Sequence, residues 1–395
     1  MTPSHARLPP LVLRPYGIVL TSLAASVLAW SLPDLGIRTG FIIREPLTIE
    51  AALILIAWYG LIVAMAAIGF HAGRRIRLET SQSDSLALSR TSIYRIISIV
   101  AWVGVLASYY HITQVIGLSG IFNALARNTV NDLKTALYTD YSIGIYSLRY
   151  IAAIAGGLAL FRFLDTGRPA LFDVVNLLML IGTSAISSRL SLIWAVITGL
   201  SVWAAGREEP LKAARWRLAA LALTVVVILW TLNHSRNANY YTQRGTESVV
   251  ASGLGEIRAY LGTPFQVALG VANHLNDALS GATSQYLVEW EVNLNSNSAF
   301  DQLIPTMGLF AFPYIAATSF FYSLLAGALA GLRRSYLFLG YPVILYAFAE
   351  LWRIDLFRQG IFYTNMFAAI GLPLLIHLLT PRAISYTVIE TVEEP

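Results

Sequence analysis

Six arginines stand where they could act together: Arg189 between two apolar runs, Arg236 and Arg244 after a third, Arg258 in the stretch that follows, and Arg353 with Arg358 after a late apolar run. A guanidinium stays charged at any physiological pH and presents a rigid donor fork matched to phosphate oxygens, so converging arginines hold a diphosphate without a metal. The same charges would stabilise a diphosphate leaving group. The competing use of such side chains is to bind lipid head groups or to pair with carboxylates, as Glu350 with Arg353 and Asp355 with Arg358 could at i, i+3. Arg189 has no acidic residue within a dozen positions, which favours a ligand.

A hydroxyl nucleophile would need a base, and Glu247, Glu256, His274, Asp277, Glu289, Glu291 and Asp301 lie between 235 and 307. Glu256 stands two residues before Arg258, and His274 carries the side chain suited to proton transfer near neutrality. Most of the others read as solvated charges. No His-x-x-x-His pair or Asp-x-Asp marks these segments, so the chemistry reads as metal-independent, with no cofactor expected. The absence of cysteine excludes disulfides, Cys-ligated zinc, iron-sulfur clusters and thiol nucleophiles. The cationic residues, all arginine but Lys134 and Lys212, are spread between apolar runs rather than gathered in a basic domain. That pattern suits lipid head groups or anionic substrates and argues against nucleic acid.

The elements that must position these residues are membrane spans. Of 395 residues, 56% are from the set AVILMFWYC and only 12% are charged, with a mean hydropathy of +0.62. An ordinary soluble protein carries about a quarter charged residues. The apolar residues form runs near the bilayer-crossing length, giving ten expected spans at about 11–32, 50–70, 93–116, 143–164, 172–187, 190–206, 217–234, 308–331, 336–352 and 361–380. Only Ser187, Ser188 and Arg189 separate the fifth and sixth, so one kinked segment is the alternative there. Ten spans put both termini on one side. The Lys/Arg distribution over short loops favours a cytoplasmic N-terminus, and the first run, which lacks a cleavage site, reads as a retained span. No Gly-rich phosphate loop precedes Lys-Ser or Lys-Thr, which argues against a nucleotide-hydrolysing domain.

Two external segments are long enough to fold. Residues 117–142 suit a helix lying at the membrane surface. Residues 235–307 form a large external loop, expected to be helical: Val249, Val250, Leu254, Ile257 and Leu261 recur at helical spacing, Pro264 is expected to end that helix, and 267–279 to form a second.

In order and layout the chain resembles the O-antigen, or oligosaccharide repeat-unit, polymerases of the Wzy type. Ser187-Ser188-Arg189-Leu190 opening an apolar span looks like that family's small-residue-Arg segment, and His234-Ser235-Arg236 like its next external arginine. Tyr260-Leu261-Gly262-Thr263-Pro264-Phe265 resembles its Tyr-Leu-x-x-Pro segment, which marks Tyr260 for the substrate pocket. Phe300, Met307-Gly308 and Gly327 resemble the stretch closing the large loop, and Arg244 to Gly255 fits an Arg-x10-Gly pattern. The likeness runs from about residue 172 to 380.

The resemblance implies an all-α integral membrane protein of the multi-spanning, lipid-sugar-using (GT-C-type) glycosyltransferase architecture. It would sit in the bacterial inner membrane with its active site facing the periplasm. Its substrates would be undecaprenyl-diphosphate-linked repeat units, donor and acceptor, which it joins into O-antigen or a related surface polysaccharide. Arg189, Arg236 and Arg258, then Arg244 and Arg353, would hold the diphosphate, with Glu256 or His274 as the base. Membrane lipids, a chain-length regulator and a flippase are the implied partners. The rivals are an O-antigen ligase, which shares the layout but transfers finished glycan to lipid A core, and a lipid-linked sugar transporter. A transporter would favour mid-bilayer charge and an internal repeat; charge inside the runs is limited to residues such as Arg149 and Asp173, and no repeat is visible.

Overall fold

The computed structural model describes residues 9–33, 41, 43–76, 92–140, 144–187, 189–205, 215–243, 248–280, 298–333 and 335–379, with side chains omitted over 236–243. These residues are overwhelmingly helical. In chain order the α-helices are α1 (Pro15–Ser31), α2 (Ile49–Gly73), α3 (Ser92–Ala126), α4 (Val130–Tyr138), α5 (Ala152–Thr166), α6 (Leu171–Ile186), α7 (Leu190–Ala205) and α8 (Arg215–Gln243). They continue with α9 (Val249–Asn273), α10 (Leu275–Leu279), α11 (Ala299–Met307), α12 (Ala311–Gly331), α13 (Gly340–Glu350), α14 (Gly360–Met366) and α15 (Leu372–Leu379). A π turn at Phe367–Gly371 joins the last two into one continuous rod.

Among the described residues six helices are long and apolar enough to cross a membrane: Ile49–Gly73, Ser92–Ala126, Ile145–Thr166, Arg215–Ser235, Ala299–Gly331 and Gly360–Leu379. The other four expected spans are shorter apolar helices, Pro15–Ser31, Leu171–Ile186, Leu190–Ala205 and Tyr336–Glu350. Ile56, Leu106, Leu178 and Phe321 are more than half exposed on the outside of the bundle. An apolar exterior over several spanning-length helices makes this a membrane-embedded α-helical protein. Within α3 the backbone leaves the helical conformation at Gly117 (φ 71°, ψ 167°), next to the expected span end at 116, so a second helical stretch to Ala126 and then α4 cover the segment expected at the membrane surface. The fifth and sixth runs are separate helices, α6 and α7, each packed on α5.

Helix association without water cannot draw on the hydrophobic effect and relies instead on close backbone approach and buried polar contacts. Both are present. α2 and α12 meet through Gly69 and Gly73 on one side and Gly327 on the other. A Cβ on Gly69 would overlap the Phe320 carbonyl oxygen, one on Gly73 that of Leu324, and one on Gly327 that of Phe70. Between α3, α5 and α6, Asp173 accepts from Tyr94 Oη (2.7 Å) and the backbone N–H of Ala170 (3.0 Å), and pairs with Arg162 Nε (2.9 Å). Asn176 Nδ2 donates to Tyr94 Oη and Ser98 Oγ, and its Oδ1 accepts from Trp102 Nε1. Fully buried Arg149 donates to the Tyr146 carbonyl and to the hydroxyls of Tyr138 and Tyr150. Asp173 is thus received by Arg162 and two hydrogen bonds, and Arg149 is hydrogen-bonded through both of its terminal nitrogens.

Gly327→Leu or Gly69→Leu should force α2 and α12 apart and destabilise the protein by about 1–3 kcal/mol or more. Gly60→Ala, where an added Cβ meets nothing within 4 Å, should be neutral or slightly stabilising. Thermal unfolding in detergent, read by size-exclusion fluorescence, checks this. Equal melting of the two classes would remove the close-approach account.

Candidate functional site

The site is built on α9. Ser248 caps it, Oγ accepting from the backbone N–H of Ala251 (3.3 Å). Val249, Val250 and Leu254 are exposed, but beyond them nearly every residue to Ala272 is buried, because α9 packs against α1, α2 and α8. Pro264 does not end this helix, contrary to the sequence expectation; it lies within a run that continues to Asn273. Proline removes one backbone hydrogen bond and crowds the preceding turn, at a cost of about 3 kcal/mol, and tertiary contacts offset that cost. Ser26 Oγ donates to the Leu261 carbonyl (2.6 Å), and Gly262 lies against the backbone of Ala29 and Trp30. Gln266 Oε1 accepts from Trp30 Nε1 (2.7 Å) and the Glu45 N–H (3.1 Å), while its Nε2 donates to the Ile43 carbonyl (2.8 Å).

On one side of α9 is a cavity of about 310 Å³. Its walls are Ile18, Thr21, Ser22 and Ala25 of α1, Leu190, Ile193 and Ile197 of α7, Leu229 of α8, and Ile257 and Leu261 of α9. Its polar groups come from Arg189 before α7, Asn233 of α8, Tyr260 of α9 and Glu350 at the end of α13, with Trp352 beside them. The stretch from Ile18 to Ala25 of α1, the second half of α8, the end of α13 and the first half of α7 therefore meet around one space.

Arg189 Nη1 donates to Asn233 Oδ1 and reaches Glu256 Oε2 at 3.4 Å; Glu256 is wholly buried. One nitrogen is thereby held by two helices, and the side chain also lines the cavity. Glu350 pairs with Arg353 Nε at 3.0 Å and is hydrogen-bonded to Tyr346, whose ring stacks on Trp194. The Arg353 guanidinium lies 5.0 Å from the centre of the Tyr260 ring, which meets Trp352 edge-on at 6.3 Å. Burial opposes the charge on Arg353, but Tyr260, Glu350 and Tyr346 outweigh it and hold the proton on. Burial likewise raises the pKa of the Tyr260 phenol, against the pull of Arg353, so it stays a hydrogen-bond donor. Its buried hydroxyl has no hydrogen-bond partner among the described residues. A buried hydroxyl left in that state beside a cavity is poised for a ligand.

The structure thus brings Arg189, Glu256, Tyr260 and Arg353 together. It places Arg258 elsewhere, donating to the Leu32 carbonyl beyond the end of α1. His274 is also apart, at the far end of α9, about 27 Å along the axis from Glu256 at 1.5 Å per residue, half-exposed and 3.8 Å from Asp277. Arg236 is in α8, its side chain among those omitted, and Arg244 lies outside the described residues, as do Glu247, Glu289 and Glu291. His234 ties α8 to α9 through Ser252 Oγ (2.9 Å). Sequence reasoning missed Asn233 and Trp352 and treated Glu350 only as a partner for Arg353. An acid at the end of an otherwise apolar run was the signal for Glu350; nothing local marked the other two.

Glu256→Ala should strand the Arg189 charge and destabilise the fold by about 3–5 kcal/mol. Tyr260→Phe removes a hydroxyl with no partner among the described residues and should change stability by less than about 0.5 kcal/mol. Unfolding of the detergent-solubilised variants distinguishes these, and a Glu256→Ala protein as stable as wild type would mean that the ion pair does not hold the site. Compared with known proteins, the chain matches no protein family, no curated protein and no solved structure.

Proposed function

We propose that this protein is a membrane glycosyltransferase that polymerises undecaprenyl-diphosphate-linked oligosaccharide units into a surface polysaccharide. The observation that carries the reading is Arg189 at the polar end of a mostly apolar cavity between helices, with Asn233, Tyr260 and Glu350 around the same space. Such a cavity matches an amphiphile: an isoprenoid chain along α1, α7 and α8, and an anionic head at the guanidinium. Its volume is at the lower end of small-molecule sites, enough for a diphosphate with the first units on either side.

Ten spans, with both termini cytoplasmic, would put this end of the bundle on the periplasmic face of the inner membrane, in keeping with the Lys/Arg bias. In the reaction the acceptor hydroxyl oxygen attacks the anomeric carbon of the donor and its proton passes to the Glu350 carboxylate. The bond from that carbon to the diphosphate oxygen breaks, and the electron pair departs with undecaprenyl diphosphate, whose charge Arg189 stabilises. Arg353 and Tyr346 position Glu350, and Glu256 positions Arg189. The base is assigned to Glu350, which lines the cavity, rather than to Glu256, which does not, or His274, which is remote.

Arg189→Ala should keep normal membrane levels yet abolish polymer, and Glu350→Gln should bind donor normally while slowing polymerisation by about 10²–10⁴-fold, the usual worth of a general base. Surface glycolipids from a deletion strain carrying each variant, run beside wild type, give the readout. Collapse of the ladder to a single repeat on the core supports the reading. Loss of every glycan-capped band would point to ligation or export instead, and an unchanged ladder would overturn the proposal.

A further inference from the structure

Away from the cavity, a second constellation joins α4 to the start of α5. α4 buries Val130, Leu133 and Leu137 with Ile112 of α3 and Ile186 of α6, and its last residue, Tyr138, is left 42% exposed. The turn Ile145–Ile151 lies against α3 at Gly104, where an added Cβ would overlap the backbone nitrogen of Arg149. Seated by that close approach, fully buried Arg149 reaches α4.

Arg149 Nη2 donates to the hydroxyl of Tyr138 (3.1 Å) and to that of Tyr150 (2.8 Å), and its guanidinium lies 4.3 Å from the centre of the Tyr150 ring. Ser187 Oγ also donates to Tyr150 Oη, at 3.2 Å, and the two phenol oxygens are 3.1 Å apart. A hydroxyl has two acceptor lone pairs and one proton to give. Tyr150 Oη has both lone pairs filled by Arg149 and Ser187, so its own proton goes to Tyr138. Tyr138 Oη thus stands at the end of the relay, accepting from a phenol and from a guanidinium. An oxygen received in this way is stabilised as its anion, since a bond from a charged donor strengthens when the acceptor ionises. Burial opposes ionisation of Tyr138, but Tyr150, Arg149 and Ser187 outweigh it and draw the phenol below the usual tyrosine range.

The other titratable groups at this place stand further off. They are Tyr146, His111 of α3, which faces the Thr139 carbonyl at 3.0 Å, Lys134 one turn earlier on α4, and exposed Asp140 beyond it. Ser187 precedes Arg189 by two residues, about 7 Å of chain at most, so the phenol lies close to the turn that carries Arg189.

We propose that Tyr138 is a nucleophilic site, a phenol that Arg149 and Tyr150 hold ready as its anion, which takes acyl groups from activated donors reaching this turn. The phenolate oxygen attacks the acyl carbonyl carbon, the bond from that carbon to the leaving group breaks, and the electron pair departs with the leaving group. An aryl ester of Tyr138 remains. The site is separate from the cavity and stands whether or not the polymerase reading does.

The test adds N-acetylimidazole to the purified full-length protein in detergent near neutral pH and locates acetyl-tyrosine by peptide mass spectrometry over time. Tyr110 and Tyr363, at 66% and 54% exposed, are more open than Tyr138 and receive no arginine donor among the described residues, which makes them internal standards. Tyr138 should be acetylated about tenfold faster than either or more, the gain expected when the acidity constant rises tenfold. Tyr150→Phe keeps the ring and removes one donor, and should cut that advantage severalfold. Arg149→Lys keeps the charge, loses the fork and should cut it further. The phenolate absorbance of wild type minus Tyr138→Phe, followed against pH, gives the midpoint directly. A midpoint below the ordinary tyrosine value of about 10 supports the inference. A midpoint at or above it, or acetylation no faster than at Tyr110 and Tyr363, overturns it. Should Arg149→Lys not fold, the wild-type labelling and the titration decide by themselves.

Discussion

An ionised side chain taken out of water costs several kcal/mol unless an opposite charge and a full set of hydrogen bonds receive it, and this chain buries several at positions far apart in sequence. Two of the pairs join separate helical segments, and the third, Glu350 with Arg353, is local at i, i+3. Arg162 meets Asp173 between α5 and α6, Arg189 meets Glu256 across 67 residues, and Glu350 holds Arg353 against the Tyr260 ring. Because removal of either partner strands the other, these pairs set which helices lie together more strictly than apolar packing does.

The helix that depends most on this constraint is α9. It has too much polar content to insert on hydrophobicity alone: Glu256, Arg258, Gln266 and Asn273 all lie within it. Each is met by α1, by the segment before α2, or by the Arg189 turn, so a helix that reads as external becomes a central partition of the bundle. Its placement creates the cavity. Rigid, pre-paired arginines are also what an anion-binding site requires, since guanidinium orientation is settled before the ligand arrives. The same interactions that hold the fold therefore pre-organise the site.

Local patterns made much of the architecture legible. Apolar runs located the helices to within a few residues, because the length and composition of a spanning helix are properties of contiguous residues. Ser187 and Arg189 marked the break between α6 and α7 for the same reason. Pro264 misled because its helix-breaking tendency is a local cost, whereas the contacts that offset it, Ser26 to Leu261 and Trp30 to Gln266, come from residues more than 200 positions earlier.

The residues alone determined that this is a helical membrane protein rich in arginine and without cysteine, since composition and hydropathy do not depend on how the helices meet. They also singled out Arg189, which no acid accompanies in the sequence. Only the tertiary structure decided that Glu256 is its partner and not a free base, that Glu350 and Tyr260 face the same cavity, and that Arg258 belongs with the end of α1. Which face of a helix meets which neighbour depends on crossing geometry and on distant pairing, and neither is written in the spacing of the residues along one segment.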